Sequence, residues 1–245
     1  TYPAIINNTR TGINGVLSVD AFVNDASNVI DDSPTNFATI NMVAGVGTIA
    51  SLSVKDELTK YPAGTYAGFD IDNANALSLN VIDNMTISTY RNDTLQETIA
   101  GSANLLGVGT SILSGVGRQT VGFITTQEFD EVVLSINSVA TVSLGATRVY
   151  GLVLQTFCAG PALDCNVPVA LQSQTPTGSH PLVINSKNTG IDAAICAGCS
   201  ISNSQNLIDA DTSTAATITL VAAVGANASI SVLNVLDTYA ANSFA

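Results

Sequence analysis

An all-β fold, an antiparallel β-sandwich of jelly-roll type repeated in tandem, is what this sequence predicts, and three observations predict it. Apolar and polar residues alternate with period two along much of the chain. Turns rich in Gly, Asn and Asp separate these stretches at the spacing of a sandwich. The chain also repeats itself without a gap, because an offset of 178 lays residues 3 to 67 over residues 181 to 245. NVIDDSPTNFATINMVAGVGTIASLSV, from Asn28, becomes NLIDADTSTAATITLVAAVGANASISV, from Asn206. The 245 residues therefore hold one whole period and the opening third of another, as expected of a window on a longer array.

Taken in chain order, Ala38, Ile40 and Met42 alternate with Thr39 and Asn41, and Ala50, Leu52 and Val54 alternate with Ser51 and Ser53. The second copy keeps this phase at Ala216, Ile218 and Leu220, then at Ala228, Ile230 and Val232, so one face is conserved between copies as a core face would be. Residues 55–60 have the composition of a single helical turn. Further strands are expected near 64–71, 77–82, 85–90, 119–125, 130–137 and 147–156. Ile40, Leu52, Val54, Phe69, Phe123, Phe129, Val133 and Val149 are the expected core.

A unit of roughly 150 residues exceeds the ~100 of an immunoglobulin-type sandwich and suits eight strands. The boundaries read as 1–10, the end of a preceding connector; 11–157, a complete sandwich; 158–188, a connector; and 189–245, the first third of the next repeat. The connector holds Pro161, Pro168, Pro176 and Pro181, four of the seven prolines, which withhold backbone donors and limit bending.

Nineteen acidic against seven basic residues give a net charge of −12. Such a surface repels nucleic acid and anionic lipid, whose binding needs Lys and Arg. No run of 18 apolar residues marks a membrane span, so no membrane insertion is expected within this stretch. The start, TYPAI, has neither the basic nor the apolar part of a signal peptide.

Asp31, Asp32, Asp70 and Asp72 are the candidates for a calcium site, since acidic loops in sandwiches suit a hard cation. Asp31 recurs as Asp209, and the same residues would equally cap Asx turns without metal. The single histidine, His180, lies in the connector, with no sequence sign of the orienting partner that catalysis requires. Cys158, Cys165, Cys196 and Cys199 allow three pairings. Their spacing suits neither two zinc knuckles nor a redox motif opening a helix. Cys196 and Cys199 are replaced together in the first copy, by Ser18 and Ala21, which favours local disulfides Cys158–Cys165 and Cys196–Cys199 and an oxidising compartment. Asn7, Asn84, Asn92 and Asn227 match N-x-S/T.

Several of these stretches together, IDDSPTNFATI, ASLSVKD, YPAGTYAGFDI, GRQTVGFITTQEFDEVVLSI, TRVYGLVLQ and ICAGCSISN, resemble the repeat modules of giant cell-surface proteins of Bacteroidota, including gliding-motility adhesins exported by type IX secretion. The Asp-rich opening is also similar to discoidin-like, galactose-binding jelly rolls. Asp93-Thr94-Leu95 resembles the O-glycosylation motif of such secreted proteins, with Thr94 as the acceptor. The resemblance implies an extracellular, non-catalytic structural repeat that projects from the cell and mediates adhesion. Its partners would be neighbouring repeats and surface polysaccharide; a calcium-dependent carbohydrate-binding module is the alternative.

Overall fold

Period-two alternation over five to eleven residues leaves each strand one apolar face, and two such sheets bury those faces against each other. In the computed structural model, which describes residues 3–15, 17–73, 79–101, 104–107, 118–139, 143–174, 178–192, 194–239 and 243, eight strands do this. They are β1 (Ala38–Met42), β2 (Ile49–Asp56), β3 (Tyr66–Asn73), β4 (Met85–Arg91), β5 (Thr94–Ala100), β6 (Gln119–Ile124), β7 (Glu131–Asn137) and β8 (Gly145–Gln155). One sheet runs β2-β7-β4-β5 and the other β1-β8-β3-β6, all antiparallel. In strand numbers these are 2-7-4-5 and 1-8-3-6, the order of a jelly roll.

The inner faces supply one continuous core. Ile40 and Met42 of β1, Leu52 and Val54 of β2, Phe69 and Ile71 of β3, Met85 and Ile87 of β4, Val121 of β6, Leu134 of β7 and Val149 of β8 are all within 1% of full burial. The expected core residues are all buried, but Val133 sits out of phase: Val132, Leu134 and Ile136 point into the sandwich, and Val133 points away from it. Its outward face is covered because residues 7–11 lie over that sheet. Glu131 there is fully buried, and its carboxylate accepts from Asn7 Nδ2 at 2.8 Å, Ser53 Oγ at 2.5 Å and Arg10 Nη1 at 3.0 Å. A buried charge needs such partners.

Ahead of β1 the chain forms four short strands, Ala4–Ile6, Gly12–Asn14, Leu17–Val19 and Phe22–Asn24. They pair in nested order with β2, with β2 again, with Ala44–Val46, and with β1. The result is one long two-stranded ribbon that begins in one sheet and ends in the other. It turns the corner near Gly15 and Gly47. Gly47 has φ +61, and a Cβ on Gly15 would lie 2.5 Å from Thr48 Cα, so a side chain at either position would strain or displace this corner of the first copy.

The second copy builds the same ribbon. Strands Leu182–Ile184, Gly190–Asp192, Ile195–Ala197 and Ser200–Ser202 pair with Val232–Asn234, Asn227–Ser229, Ala222–Val224 and Thr217–Thr219. Every registered pair is a first-copy pair displaced by 178: Ala4↔Asp56 becomes Leu182↔Asn234, and Phe22↔Asn41 becomes Ser200↔Thr219. Local contacts follow the same rule. The 3-10 turn Ala26–Val29 recurs as Ser204–Leu207, and the left-handed Asp25 (φ 54) recurs as Asn203 (φ 54). Thr11 Oγ1 accepts from Ser53 N as Thr189 Oγ1 does from Ser231 N. Among the described residues no opposing sheet covers the second ribbon. Ile40, Met42 and Val54 are exposed by no more than 1%, whereas Ile218, Leu220 and Val232 are 45%, 45% and 39% exposed.

Four expectations are corrected. Residues 1–10 are not wholly connector, since Ala4–Ile6 pairs with β2, and by the same offset the second unit opens at Leu182 rather than at 189. Three-residue strands are too short for a period-two signal, which explains the misplaced boundaries. Residues 55–60 form no helical turn; Lys55 and Asp56 end β2. The one α-helix among the described residues is Leu79–Asp83, where alternation had suggested a strand, an ambiguity inherent in short apolar runs.

Leu52→Ala should cost about 2–5 kcal/mol in denaturant unfolding of the first module, the usual sum of transfer and cavity terms. Its counterpart Ile230→Ala should leave that transition unmoved. Equal effects would mean that the two copies share one core.

Candidate functional site

The acidic candidates fall on the outward side of the β1-β8-β3-β6 sheet and its flanking loop. Asp31 forms an Asx turn: its Oδ1 accepts from Ser33 N at 2.9 Å, and its Oδ2 accepts from Asn36 Nδ2 at 2.5 Å. The second copy repeats it, Asp209 accepting from Asp211 N at 3.0 Å and Thr214 Oγ1 at 2.8 Å. Asp70 is paired with Arg118, whose Nε lies 3.0 Å from Oδ2, and Asp72 with Arg148 at 3.6 Å. Arg118 Nη1 also donates to Pro34 O at 2.6 Å, tying the Asp31–Pro34 loop to the sheet.

The two arginines stack on rings as well. Arg118 lies 3.9 Å from the Tyr150 ring centroid and Arg148 5.0 Å from that of Phe37, and the two rings meet edge to face at 5.4 Å. This ladder fastens β3, β8 and the loop before β1 from outside. Asp70 and Asp72 face guanidinium groups, Asp31 is spent on a turn, and among the described residues no group of three or more metal-ligating side chains converges.

A second site is the joint between the copies. Tyr66, at the start of β3, is fully buried on the outer side of its sheet and donates from Oη to Leu106 O at 2.8 Å. It lies there because the facing pair Gly68 and Gly122 carries no side chains; a Cβ on Gly122 would come within 2.6 Å of the Tyr66 ring. Val183, from the opening strand of the second copy, covers Tyr66 together with Phe157 and Val235. Gly107 bridges to Ile184, and Ser186 Oγ donates to Leu105 O. Burial pushes the Tyr66 phenol well above its ordinary value.

The connector is folded back along this joint. Gln174 holds Cys158 at both ends, accepting from its N at 3.1 Å and donating to its O at 2.7 Å. His180, expected to be an ordinary connector residue, is 4% exposed, with Ser179 Oγ 3.0 Å from Nδ1. Gly160 packs against that ring, where a Cβ would lie 2.7 Å from His180 Cδ2. Composition offered no sign of this burial, which depends on the fold bringing 160 and 180 together.

Cys196 and Cys199 are disulfide-bonded across the bend between two ribbon strands. Cys158 and Cys165 are not: both thiols are free and exposed. The stretch from 158 to 164 contains no turn that would return the chain to Cys158, and a disulfide needs Cα atoms about 4.4–6.8 Å apart. Thr94 opens β5 and is exposed, directly after a turn at Asn92 and Asp93, both with positive φ. The neighbouring Asp93 is engaged with Arg10 at 3.2 Å and Lys55 at 3.7 Å, and the hydrogen bond from Arg10 is the main reason its carboxyl is held below the usual range.

Between the two sheets, on the side where β8 outruns β1, a cleft of about 640 Å³ opens. Ala4, Ile30, Val54, Leu152 and Leu154 are among its apolar lining, and Asp31, Asp32, Asp56 and Asp130 are its acidic lining, the last two buried. Burial would raise the Asp56 carboxyl, but hydrogen bonds from Tyr61 Oη at 2.7 Å, Leu58 N at 2.9 Å and Thr59 N at 2.8 Å outweigh it and hold the group below its ordinary value.

No family model and no curated protein matches the sequence. Among solved structures, Xylanase10C from Cellvibrio japonicus in complex with xylopentaose is similar over 63% of this chain at 10% identity, with a TM-score of 0.29. The chain spans 29% of that protein. At that score the likeness carries no functional argument. No helix among the described residues is long and apolar enough to cross a membrane.

Two outcomes are expected. Without reductant, a maleimide reagent should label two thiols per chain, at Cys158 and Cys165, and four after reduction and unfolding; intact mass reads both. Because the folded Asp56 pKa lies below the unfolded value, the unfolded state takes up the proton first as pH falls. The stabilisation is complete above about pH 4 and is lost below it. Asp56→Asn should therefore flatten the fall in stability below about pH 4, measured by urea unfolding, relative to the parent chain.

Proposed function

We propose that this chain is a stretch of a long extracellular array whose β-sandwich repeats space and project an adhesive surface from the cell, without catalytic activity. The observation that carries this reading is the recurrence of the whole ribbon after 178 residues, pair for pair in register. A repeat that keeps its backbone pairing and core phase keeps its shape, which is what a spacing element needs. The joint supports the same role. Tyr66, Val183 and Phe157 bury apolar surface between successive units, so the angle between them is set by packing instead of by a free linker.

Extracellular placement is supported by the Cys196–Cys199 disulfide, since such bonds persist in oxidising compartments. Adhesion in gliding motility and export by type IX secretion rest on the resemblance noted above. The alternative, calcium-dependent carbohydrate binding, finds less support. Its proposed ligands Asp70 and Asp72 are ion-paired, and the Tyr150 and Phe37 rings are stacked under arginines, while the chain has no tryptophan to serve as a sugar platform.

The native polypeptide should run at many times the 25.0 kDa of this stretch, and protease added to intact cells should remove it. A native chain of about that mass, protected inside the cell, would overturn the proposal.

A further inference from the structure

The cleft of the first copy has an occupied counterpart. Under the offset of 178, Ala4, Ile6, Ile30 and Leu52 become Leu182, Ile184, Ile208 and Ile230. In the second copy, Leu171 of the connector packs against this group. The connector backbone is fastened there too: Ser173 N donates to Ile208 O at 2.6 Å, and Ser173 Oγ to Leu182 O at 3.0 Å. Ile208 is consequently 2% exposed although no second sheet among the described residues faces it, whereas Ile30 remains only half-buried inside a complete sandwich. Ile30, Ala4 and Val54 line the open cleft.

We propose that the cleft of each complete repeat is the seat of the connector that precedes that repeat, with a leucine in the place of Leu171 inserted beside Ile30. Three features fit the occupant to the site. The segment Val167–Gln174 is uncharged, so the acidic residues lining the cleft do not repel it. Its apolar residues, Val167, Val169 and Leu171, alternate along an extended chain, and of them Leu171 is the one that packs in the second copy, Val167 and Val169 staying about half exposed there. The cleft is bounded by β8 residues beyond Val149, past the last β1 pair, so its wall is a strand edge. Repeat and connector then interlock, each connector closing the unit downstream of it.

This inference rests on the tandem reading, but its test does not share that reading's fate. Residues 166–178 are copied ahead of Thr1, which restores the natural spacing because Thr1 corresponds to Ser179. The lengthened chain should unfold at a midpoint at least about 2 °C higher than residues 1–245. Amide exchange at Ile30 and Asp31 should slow with it. Leu171→Asp within the copied segment should abolish both changes, and since that residue lies outside the folded module, loss of folding is not a confounding outcome.

No rise, or an equal rise with the aspartate version, overturns the proposal. A rise that grows with protein concentration also overturns it, because the segment would then be binding between chains. A native polypeptide of single-repeat mass would refute the array while leaving these measurements unaffected.

Discussion

The nested pairing of the first 24 residues with residues 38–56 is the constraint on which the remaining structure depends. Because the ribbon turns a corner midway, β1 and β2 enter different sheets although only six residues separate them. Each sheet is thereby seeded with one strand, and the last two strands close on those seeds, β7 beside β2 and β8 beside β1, while β4 and β5 form a hairpin within one sheet. That arrangement is the order of a jelly roll. The ribbon is also the part that returns in the second copy with its turns, bridges and hydrogen bonds, so it behaves as a structural unit in its own right.

What the ribbon cannot do by itself is bury its apolar face. In the first copy the facing sheet removes Ile40, Met42 and Val54 from water; in the second, Ile218, Leu220 and Val232 keep about two-fifths of their surface exposed. At about 25 cal/mol per Å² of apolar area, those side chains forgo most of the stabilisation that their counterparts contribute. Only the end nearest the connector is sealed, by Leu171 over Ile208 and Leu182. Backbone pairing thus sets the shape of a repeat, and contacts with neighbouring segments stabilise it.

Charge plays a fastening role. Five of the seven basic residues, Arg10, Lys55, Arg91, Arg118 and Arg148, are ion-paired with carboxylates, and three of them also lie over aromatic rings. Arg10 neutralises the buried Glu131 and holds residues 7–11 across the outer face of a sheet, while Arg118 joins a loop to β3. The acidic excess is left for the surface. Asp31, Asp70 and Asp72 each have a separate partner: a turn, Arg118 and Arg148.

The sequence alone determined the class, the offset between copies and most of the core, because strand phase and repetition are written in local order: Ile40, Leu52 and Phe69 follow from alternation and nothing else. Disulfide pairing was legible at Cys196 and Cys199, where loss of both residues together marked the bond, and not at Cys158 and Cys165, where proximity in sequence was mistaken for proximity in space. Only tertiary structure decided that Asp70 and Asp72 would meet arginines from segments far along the chain, and that Val133 would be buried on the outward face by residues 7–11. It likewise decided that Tyr66 and His180 would be enclosed at the joint. Each of these outcomes depends on contacts between distant segments, and spacing along a chain carries no record of which segment will lie above a given face.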